Sequence, residues 1–298
     1  MTNALVLGGG GVTGVAWETG VLKALRDSGV DVTGADLVVG TSAGSIVGAQ
    51  LTTGFDLDGL FDAQLAPATT APAADVSKFL GFLATLAVEV DLTPEQLRSR
   101  IGAMALEATY PDEASQLETI MAGLLVREWP DRRLLITAVD AANGAFVTWE
   151  RESGVGLPLA VASSCAVPGV FPPVEIRGRY YMDGGMRSIT NADLAAGHEH
   201  VVVIAPTGAR PRGVPDPLAA LPADSAVLRW ARSLDGEVEA LRSAGSAVHV
   251  VVPDAAAMEA IGLDLLDQRR REPAARAGLA QAASDAEWLT VALRARPV

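Results

Sequence analysis

Histidine and cysteine are scarce in this sequence, which has three histidines and one cysteine among 298 residues. A single cysteine cannot form an internal disulfide, and the histidines form no recognisable zinc motif. The sequence also lacks an apolar run long enough to cross a bilayer, and its first apolar residues, 4–7, are expected to form a strand rather than a signal peptide. We therefore expect a cytoplasmic protein with no metal centre and no other cofactor.

Basic residues are also in short supply, since 23 Lys and Arg stand against 36 Asp and Glu, for a net charge of −13. Proteins that bind nucleic acid carry a basic face, and stable attachment to an anionic membrane needs basic residues at its surface. The charge balance therefore argues against both kinds of partner. The apolar fraction of 49% is that of a globular protein with a buried core.

Short apolar runs alternate with helical patterns at the start of the chain. Residues 4–7 and 36–40 are predicted strands, and the segments from about 15 to 28 and from 42 to 54 are predicted helices. This alternation predicts βαβ units on a partly parallel sheet. Residues 55–133 lack strand patterns, so we expect a helical insertion there. An ordinary packed helix pair and a mobile lid over an apolar substrate groove both fit that insertion.

Strand patterns return after the insertion. A hairpin is predicted over 134–150, with its turn at Asn143-Gly144, and strands are predicted at 180–182, 201–205 and 248–252. The Ala-rich end, 255–296, is predicted to be helical. No repeat or linker divides the chain, so we expect a single domain, residues 1–298. Its motif-bearing core spans about 4–205, and a C-terminal strand and helices follow over about 206–298.

Four consecutive glycines, Gly8 to Gly11, follow the first strand. Together with Gly14 they satisfy the G-x-G-x-x-G pattern of dinucleotide sites through Gly9 and Gly11. Such a site also needs an acidic residue at the tip of the second strand. The acidic residue here, Asp36, stands at the beginning of that strand instead. The glycine loop therefore matches a dinucleotide site only in part.

The tip of the second strand carries the segment "GTSAG", a G-x-S-x-G pattern centred on Ser42. A strand enters this segment and a helix leaves it, which is the setting of a nucleophile elbow. Glycine suits Gly40 and Gly44 because a side chain there would collide with the tight turn. The alternative interpretation is a serine that merely caps the following helix.

The glycine loop and the serine are expected to lie side by side, because the ends of adjacent parallel strands open onto one edge of a sheet. The backbone N–H groups of Gly9, Gly10, Gly11 and Ala43 would then point at one oxygen next to Ser42. Acyl transfer needs such an oxyanion hole, and losing one donor costs roughly 10²–10³ in rate. An oxyanion hole therefore explains the glycines better than a phosphate site does.

Ser42 also needs a base. His198, His200 and His249 lie in turn and strand patterns and are interpreted as structural residues. Asp183 in "YYMDGG" is the better candidate, because a short strand ends there in an acidic residue followed by two glycines. A plain Asp-Gly turn is the alternative. An aspartate, with an ordinary pKa of about 3.9, would need burial and direct contact with the serine to act as a base.

These motifs resemble those of the patatin-like phospholipase family, and they occur in the same order: Gly8–Gly14, Gly40–Gly44 and Asp183–Gly185. Matching stretches at 20–25 and 162–174, together with Asn191, extend the resemblance over about residues 4–205. Two positions depart from the family pattern. Thr13 stands where the family usually has Arg or Lys, and Asp193 stands where it often has proline.

The resemblance implies an α/β fold with a mixed, largely parallel sheet between two helical layers. It implies a Ser–Asp dyad in which Ser42 is the nucleophile and Asp183 is the base. The implied activity is hydrolysis of lipid or other acyl esters through a covalent acyl-serine intermediate. Such a substrate allows transient contact with a membrane or micelle, and the oligomeric state is left open.

Two alternatives belong to other classes of protein. One is a conventional hydrolase or acyltransferase that uses a Ser–His pair, although its nucleophile would normally follow several earlier strands. The other is a non-catalytic module that binds a lipid or a nucleotide, although the strand-tip acid of a nucleotide site is missing.

Overall fold

The computed structural model describes residues 2–67, 77–89, 91–110, 124, 127–207 and 221–294. Its strands are β1 (Asn3–Leu7), β2 (Leu37–Gly40), β3 (Arg133–Asp140), β4 (Phe146–Trp149), β5 (Val174–Ile176), β6 (Arg179–Asp183), β7 (His200–Ile204) and β8 (Ala247–Val251). They form one sheet in the order β5-β6-β3-β2-β1-β7-β8, and β4 pairs with β3. The pairs among β1, β2, β3, β7 and β8 are parallel, whereas β4, β5 and β6 join in antiparallel pairs.

The helices are α1 (Gly11–Asp27), α2 (Ala43–Thr52), α3 (Leu57–Leu65), α4 (Ser77–Ala87), α5 (Pro94–Glu107), α6 (Leu157–Ser164), α7 (Ala226–Ala231), α8 (Ser233–Ser243), α9 (Ala255–Ile261) and α10 (Arg271–Arg294). Short 3-10 turns lie at Arg151–Ser153, Gly184–Met186, Ala192–Ala195 and Gln268–Arg270. Within the described ranges, no helix combines the length and the apolar character needed to cross a membrane.

Helices cover both faces of the sheet. Successive side chains of a strand point to opposite faces, so Leu5 and Leu7 of β1 pack into one core with α1, α2 and α10. Ala4 and Val6 of the same strand pack on the other side, in a core that includes Leu234 of α8. The predicted architecture, a mixed and largely parallel sheet between two helical layers, is confirmed.

The predicted strands and the hairpin at Asn143-Gly144 are confirmed, but two helix boundaries differ. α1 begins at Gly11 rather than near residue 15, because the Gly14 amide already donates to the Gly10 carbonyl at 2.8 Å. The segment predicted to be helical, 255–296, forms two helices, α9 and α10, because the chain leaves the helical path at Gly262, whose φ is 75°. The Arg270 guanidinium donates to the final carbonyls of α9, at Glu259 and Ala260, and so caps that helix.

The described part of the insertion predicted at 55–133 is helical up to Glu107 and contains α3, α4 and α5. Residues 68–76, 90, 111–123 and 125–126 lie outside the described residues. Phe79 and Leu83 of α4 and Ile101 of α5 are buried against Val139 of β3 and Met182 of β6. This packing favours the interpretation of α4 and α5 as an ordinary packed helix pair.

Two glycines bring α1 and α10 into close contact. A Cβ atom added at Gly20 would lie 2.1 Å from the Ala275 carbonyl oxygen, and one at Gly278 would lie 2.3 Å from the Trp17 carbonyl oxygen. Both neighbours are backbone atoms that cannot rotate away. The two helices can therefore pack at this distance only because both positions lack a side chain.

We expect Gly20→Ala to destabilise the fold by about 1–3 kcal/mol, because the new methyl group would force α1 and α10 apart. Gly236→Ala in α8 is the matched control, because a Cβ there meets nothing within 4 Å. That control should raise stability by about 0.5–1 kcal/mol through its better helix propensity. Urea unfolding measures the free energy of unfolding of both variants. If Gly20→Ala were as stable as Gly236→Ala, the close contact between α1 and α10 would be contradicted.

Candidate active site

Ser42 lies in a sharp turn between β2 and α2. Its backbone has φ 52° and ψ −115°, a conformation that a residue with a side chain adopts only under strain. The flanking glycines are sterically required, since a Cβ at Gly40 would lie 2.7 Å from the Gly44 carbonyl oxygen. A Cβ at Gly44 would lie 2.1 Å from the Leu7 carbonyl oxygen. The geometry is that of a nucleophile elbow.

Side chains of α6 and α2 form hydrogen bonds with the backbone of Ser42. The Ser42 amide donates to Ser164 Oγ at 2.9 Å, and Ser45 Oγ donates to the Ser42 carbonyl at 2.6 Å. Cys165 Sγ lies 3.4 Å from that same carbonyl oxygen. Burial raises the pKa of the Cys165 thiol to about 12, so the sulfur stays protonated and is no nucleophile. Sequence reasoning did not identify Ser164, although it lies within the matching stretch 162–174.

The glycine loop lies against Ser42, as expected. β1 and β2 pair in parallel with Leu7 opposite Gly40, so the two loops leave the sheet at the same level. A Cβ at Gly9 would lie 3.6 Å from Ser42 Cβ. The strand register thus brings together two motifs that the sequence places apart.

The predicted oxyanion donors differ in what their amides already contact. The Gly9 amide donates to the Ile189 carbonyl at 2.8 Å, so this N–H is occupied. In the described part of the chain, the amides of Gly10, Gly11 and Ala43 donate to no protein acceptor. Gly11 and Ala43 begin α1 and α2, and first-turn amides have no partner within their own helix. Three of the four predicted donors are therefore available to a ligand.

Strand β3 lies between β2 and β6, and its pairing with both strands places Asp183 near Ser42. Gly40 pairs with Ile136 of β3, and Asp183 at the end of β6 pairs with Ala138, two residues or about 7 Å further along β3. The Ser42 side chain lies beside the Asp183 carboxyl group, close enough to lower the pKa of that carboxyl. Two residues predicted from separate motifs are therefore neighbours in the fold.

The Asp183 carboxyl group is almost entirely buried, with 3% of the residue exposed. Loss of hydration raises its pKa to about 7, although the nearby Ser42 side chain and the hydrogen bond from the Gly185 amide favour the carboxylate. The Gly185 amide donates to Asp183 Oδ1 at 2.7 Å. Burial thus gives this carboxyl group the proton affinity of a base that works near neutral pH.

Asn191 ties the aspartate loop to the elbow. It is fully buried in the left-handed conformation (φ 53°), which asparagine tolerates better than most residues. Its Nδ2 donates to Thr41 Oγ1 at 3.1 Å, to the Ser188 carbonyl at 2.8 Å and to the Gly184 carbonyl at 3.3 Å. One side chain therefore connects the residue before Ser42 with the residue after Asp183.

Thr13 and Asp193, the two residues that depart from the family pattern, each bind another part of the protein. Asp193 forms a two-pronged ion pair with Arg187, with nitrogen–oxygen distances of 2.8 and 2.6 Å. Arg187 also donates to Asn191 Oδ1 at 2.9 Å, so this ion pair supports the same loop. Thr13 is buried, and its amide donates to the Leu265 carbonyl at 3.1 Å.

The three histidines lie away from Ser42. His200 begins β7 opposite Asn3, four residues or about 13 Å from the end of β1 that carries the glycine loop. His249 is on β8, three strands or about 14 Å from β2. The His198 ring contacts the Ala195 carbonyl at 3.0 Å. These positions do not supply a Ser–His pair.

A nucleotide site and a metal site are the other kinds of site to compare with this edge of the sheet. Asp36, the one acidic residue of the second predicted strand, accepts from the Asn3 amide at 2.7 Å at the opposite end of that strand. It therefore cannot hold the ribose of a nucleotide at the glycine loop. Across the described ranges, no cluster of three or more His, Cys, Asp or Glu residues is arranged to hold a metal ion.

Comparison with known proteins places these residues in context. The sequence model of the patatin-like phospholipase family matches residues 5–196. Uncharacterized NTE family proteins of Mycobacterium bovis and Mycobacterium tuberculosis are 30% identical over 185 residues, or 61% of this chain. The match covers 42% of each relative, so this chain spans less than half of their length.

Two solved structures are similar over most of the chain. VipD from Legionella pneumophila has 12% identity and a TM-score of 0.46, with coverage of 96% of this chain and 67% of VipD. The type III effector protein ExoU has 12% identity and a TM-score of 0.43, with coverage of 96% of this chain and 53% of ExoU.

We expect Asn191→Gly to lower both stability and turnover, because glycine keeps the left-handed backbone but removes the side chain that joins the two loops. The stability loss should be about 1–3 kcal/mol, since buried polar partners lose their hydrogen bonds. Urea unfolding and ester hydrolysis measure the two effects. Asn143→Gly, at an exposed turn, is the control; it removes a single exposed hydrogen bond, from the Ala145 amide, and should lose less stability than Asn191→Gly and keep full turnover. Full activity in Asn191→Gly would contradict the connecting role.

Proposed function

Because the chain belongs to the patatin-like phospholipase family, we propose that it hydrolyses acyl esters of lipids, with Ser42 as nucleophile and Asp183 as base. The observation that carries this proposal is the position of the Ser42 side chain beside a buried carboxyl group whose pKa is raised to about 7. An efficient general base has a pKa near the working pH. An exposed aspartate, with a pKa near 3.9, would be too weak.

In the proposed first step, Asp183 takes the proton of the Ser42 hydroxyl as Oγ attacks the ester carbonyl carbon. The tetrahedral intermediate collapses to an acyl-serine, and the alcohol leaves with the proton from Asp183. In the second step, Asp183 takes a proton from water, which attacks the acyl-serine. The fatty acid then leaves, and the proton returns to Ser42. No histidine or metal ion has a part in this scheme.

The negative charge on the attacked oxygen needs stabilisation in both steps. The amides of Gly10, Gly11 and Ala43 are the proposed oxyanion hole, because each lacks a protein acceptor in the described part of the chain. Gly9 is left out, since its amide is held by Ile189. The positive ends of α1 and α2 also meet here, which favours negative charge.

The two alternative functions have less support. A Ser–His hydrolase would need a histidine near Ser42, and His198, His200 and His249 lie elsewhere in the sheet. A nucleotide-binding module would need an acid at the tip of β2, where Thr41 and Ser42 stand instead. A lipid-binding module without activity would not need a strained serine against a buried carboxylate.

Ser42→Ala should abolish hydrolysis of p-nitrophenyl esters, because the covalent intermediate can no longer form. Esters from acetyl to palmitoyl measure this loss, and the profile of the wild type reports which acyl lengths are accepted. Ser243→Ala, at an exposed position on α8, is the control and should keep full activity. Equal turnover by Ser42→Ala and wild type, with both folded, would refute the nucleophile assignment.

The pH dependence should identify the base. The raised pKa of Asp183 leaves it protonated below about pH 7, so kcat/KM should rise through pH 7 and fall by about tenfold per unit below it. Asp183→Asn should lose turnover at every pH, whereas His200→Ala should keep the same profile. A profile that is flat from pH 5 to 8, or a rising limb that disappears with His200→Ala, would contradict the dyad.

A further inference from the structure

Large apolar side chains on the surface are concentrated on α4 and α5. Among the described residues, the exposed large hydrophobic side chains are Leu80 (57%), Val88 (70%), Leu106 (43%), Tyr180 and Leu263. Three of these five belong to the two helices or to the residue that follows α4. Each lies on a surface where a soluble domain ordinarily places polar groups.

The exposed residues of α4 that follow Lys78 carry no charge. Its exposed residues from position 80 onward are Leu80, Gly81, Ala84, Thr85 and Val88, here called the α4 face. Residues 79–88 contain no Asp, Glu, Lys or Arg, in a chain of which one fifth is charged. The α4 face is therefore a continuous patch without charge.

The α4 face borders a groove between α4 and α5. This groove is an open cavity of about 730 Å³, which is large enough for a lipid chain. Gly81 and Thr85 belong both to the α4 face and to its wall, and Phe82, Leu86 and Met104 supply apolar lining. Glu89, Arg100 and Glu107 also line the groove, and Arg100 forms an ion pair with Glu89. The α4 face and the groove are thus continuous, with the charged side chains in the groove and none on the α4 face.

The groove and the nucleophile elbow share one loop. Gly169 lines the groove and lies four positions after Cys165, whose sulfur is 3.4 Å from the Ser42 carbonyl oxygen. The intervening segment is a compact turn, since the Val167 amide donates to the Cys165 carbonyl at 2.9 Å. One short loop therefore connects the groove with the back of the nucleophile elbow.

We propose that the α4 face, with Leu106 beside it, is the surface by which this protein docks on aggregated lipid that carries no net charge. The proposal rests on the lipid hydrolase function proposed above. A protein with a net charge of −13 is repelled by anionic headgroups, whereas an uncharged patch can enter a zwitterionic or neutral lipid surface.

A second copy of the chain is the competing occupant of the α4 face. A stable protein–protein interface takes about 20–30 residues from each partner. The α4 face and Leu106 amount to six residues. A few apolar side chains suffice for reversible attachment to a lipid surface, because each one that enters the headgroup region adds to the affinity. The size of the patch therefore favours lipid over a dimer.

Co-sedimentation with sucrose-loaded phosphatidylcholine vesicles tests the docking surface directly. We expect wild type to pellet with the vesicles, and the Leu80→Glu/Val88→Glu double variant to lose at least about tenfold in partitioning. Leu263→Glu is the matched control, because Leu263 is fully exposed away from α4, and it should pellet like wild type. Adding phosphatidylserine to the vesicles should weaken the binding of wild type.

Several outcomes would overturn the proposal. These are failure of wild type to pellet, pelleting of the double variant like wild type, and loss of binding in Leu263→Glu to the same extent. A change of mass in light scattering on Leu80→Glu would assign the patch to a second copy instead. A Leu80→Ser/Val88→Ser variant repeats the measurement without added charge, should the glutamates disturb folding.

The vesicle-binding test of the docking surface and the hydrolysis test of the proposed function can fail independently. Co-sedimentation needs no turnover, so an inactive wild type would contradict the proposed function and still leave the docking result readable. Hydrolysis of p-nitrophenyl butyrate below its aggregation limit should be unchanged in the double variant, whereas hydrolysis of phosphatidylcholine vesicles should fall in proportion to binding. A parallel loss on the monomeric ester would show damage to the site rather than to docking.

Discussion

The register between β1 and β2 is the constraint on which the candidate site depends. Leu7 pairs with Gly40, the Thr41 amide donates to the Leu7 carbonyl at 3.0 Å, and the Gly44 amide donates to the Gly8 carbonyl at 3.0 Å. Gly44 sits so close above Leu7 that any side chain at position 44 would push the two loops apart. A slip of one residue would turn each buried strand residue to the other face and separate the glycine loop from Ser42.

The glycine loop is packed closely on two sides. One side lies against Ser42, and the other side contacts the segment after β7 and the turn after α9. A Cβ at Gly10 would lie 2.6 Å from Pro206 Cβ, and one at Gly11 would lie 2.6 Å from the Leu265 carbonyl oxygen. The segment after β7 and the turn after α9 thus hold the loop in place, although neither carries a recognised motif. The same Leu265 carbonyl binds Thr13, at the position where the family usually has a basic residue.

Buried carboxyl groups give this fold a characteristic dependence on pH. Loss of hydration is the largest influence on Asp183, Glu18 and Glu237, and it raises the pKa of all three. A carboxyl group whose pKa is higher in the folded state stabilises the fold fully below its ordinary pKa. That stabilisation is lost as the pH rises through the raised pKa. At Asp183, this cost in stability accompanies the property that a base near neutral pH requires.

Glu18 and Glu237 differ in how they are accommodated. Burial raises the pKa of Glu18 more than the nearby Gly8 backbone lowers it. Within the described residues, neither carboxylate oxygen has a partner at hydrogen-bond geometry, so the neutral acid is the form that fits its setting. Glu237 accepts from Thr190 Oγ1 at 2.9 Å and from the Ala192 amide at 2.8 Å, on either side of Asn191. It thereby anchors the turn whose asparagine connects the two loops of the site.

The strand pattern, the elbow around Ser42, the glycine loop and the candidate acid Asp183 can all be predicted from the order of the residues. These are local features, set by residues that are neighbours along the chain, and the chemistry of glycine and serine makes them recognisable. The proximity of Asp183 to Ser42, the hydrogen bonds of Ser164 and Asn191 to the two loops, and the occupation of the Gly9 amide by Ile189 become visible only in the folded chain. The same is true of the cap that Arg270 places on α9. Each of these contacts joins residues brought together by packing, and no pattern within one segment encodes which partner a buried donor will find.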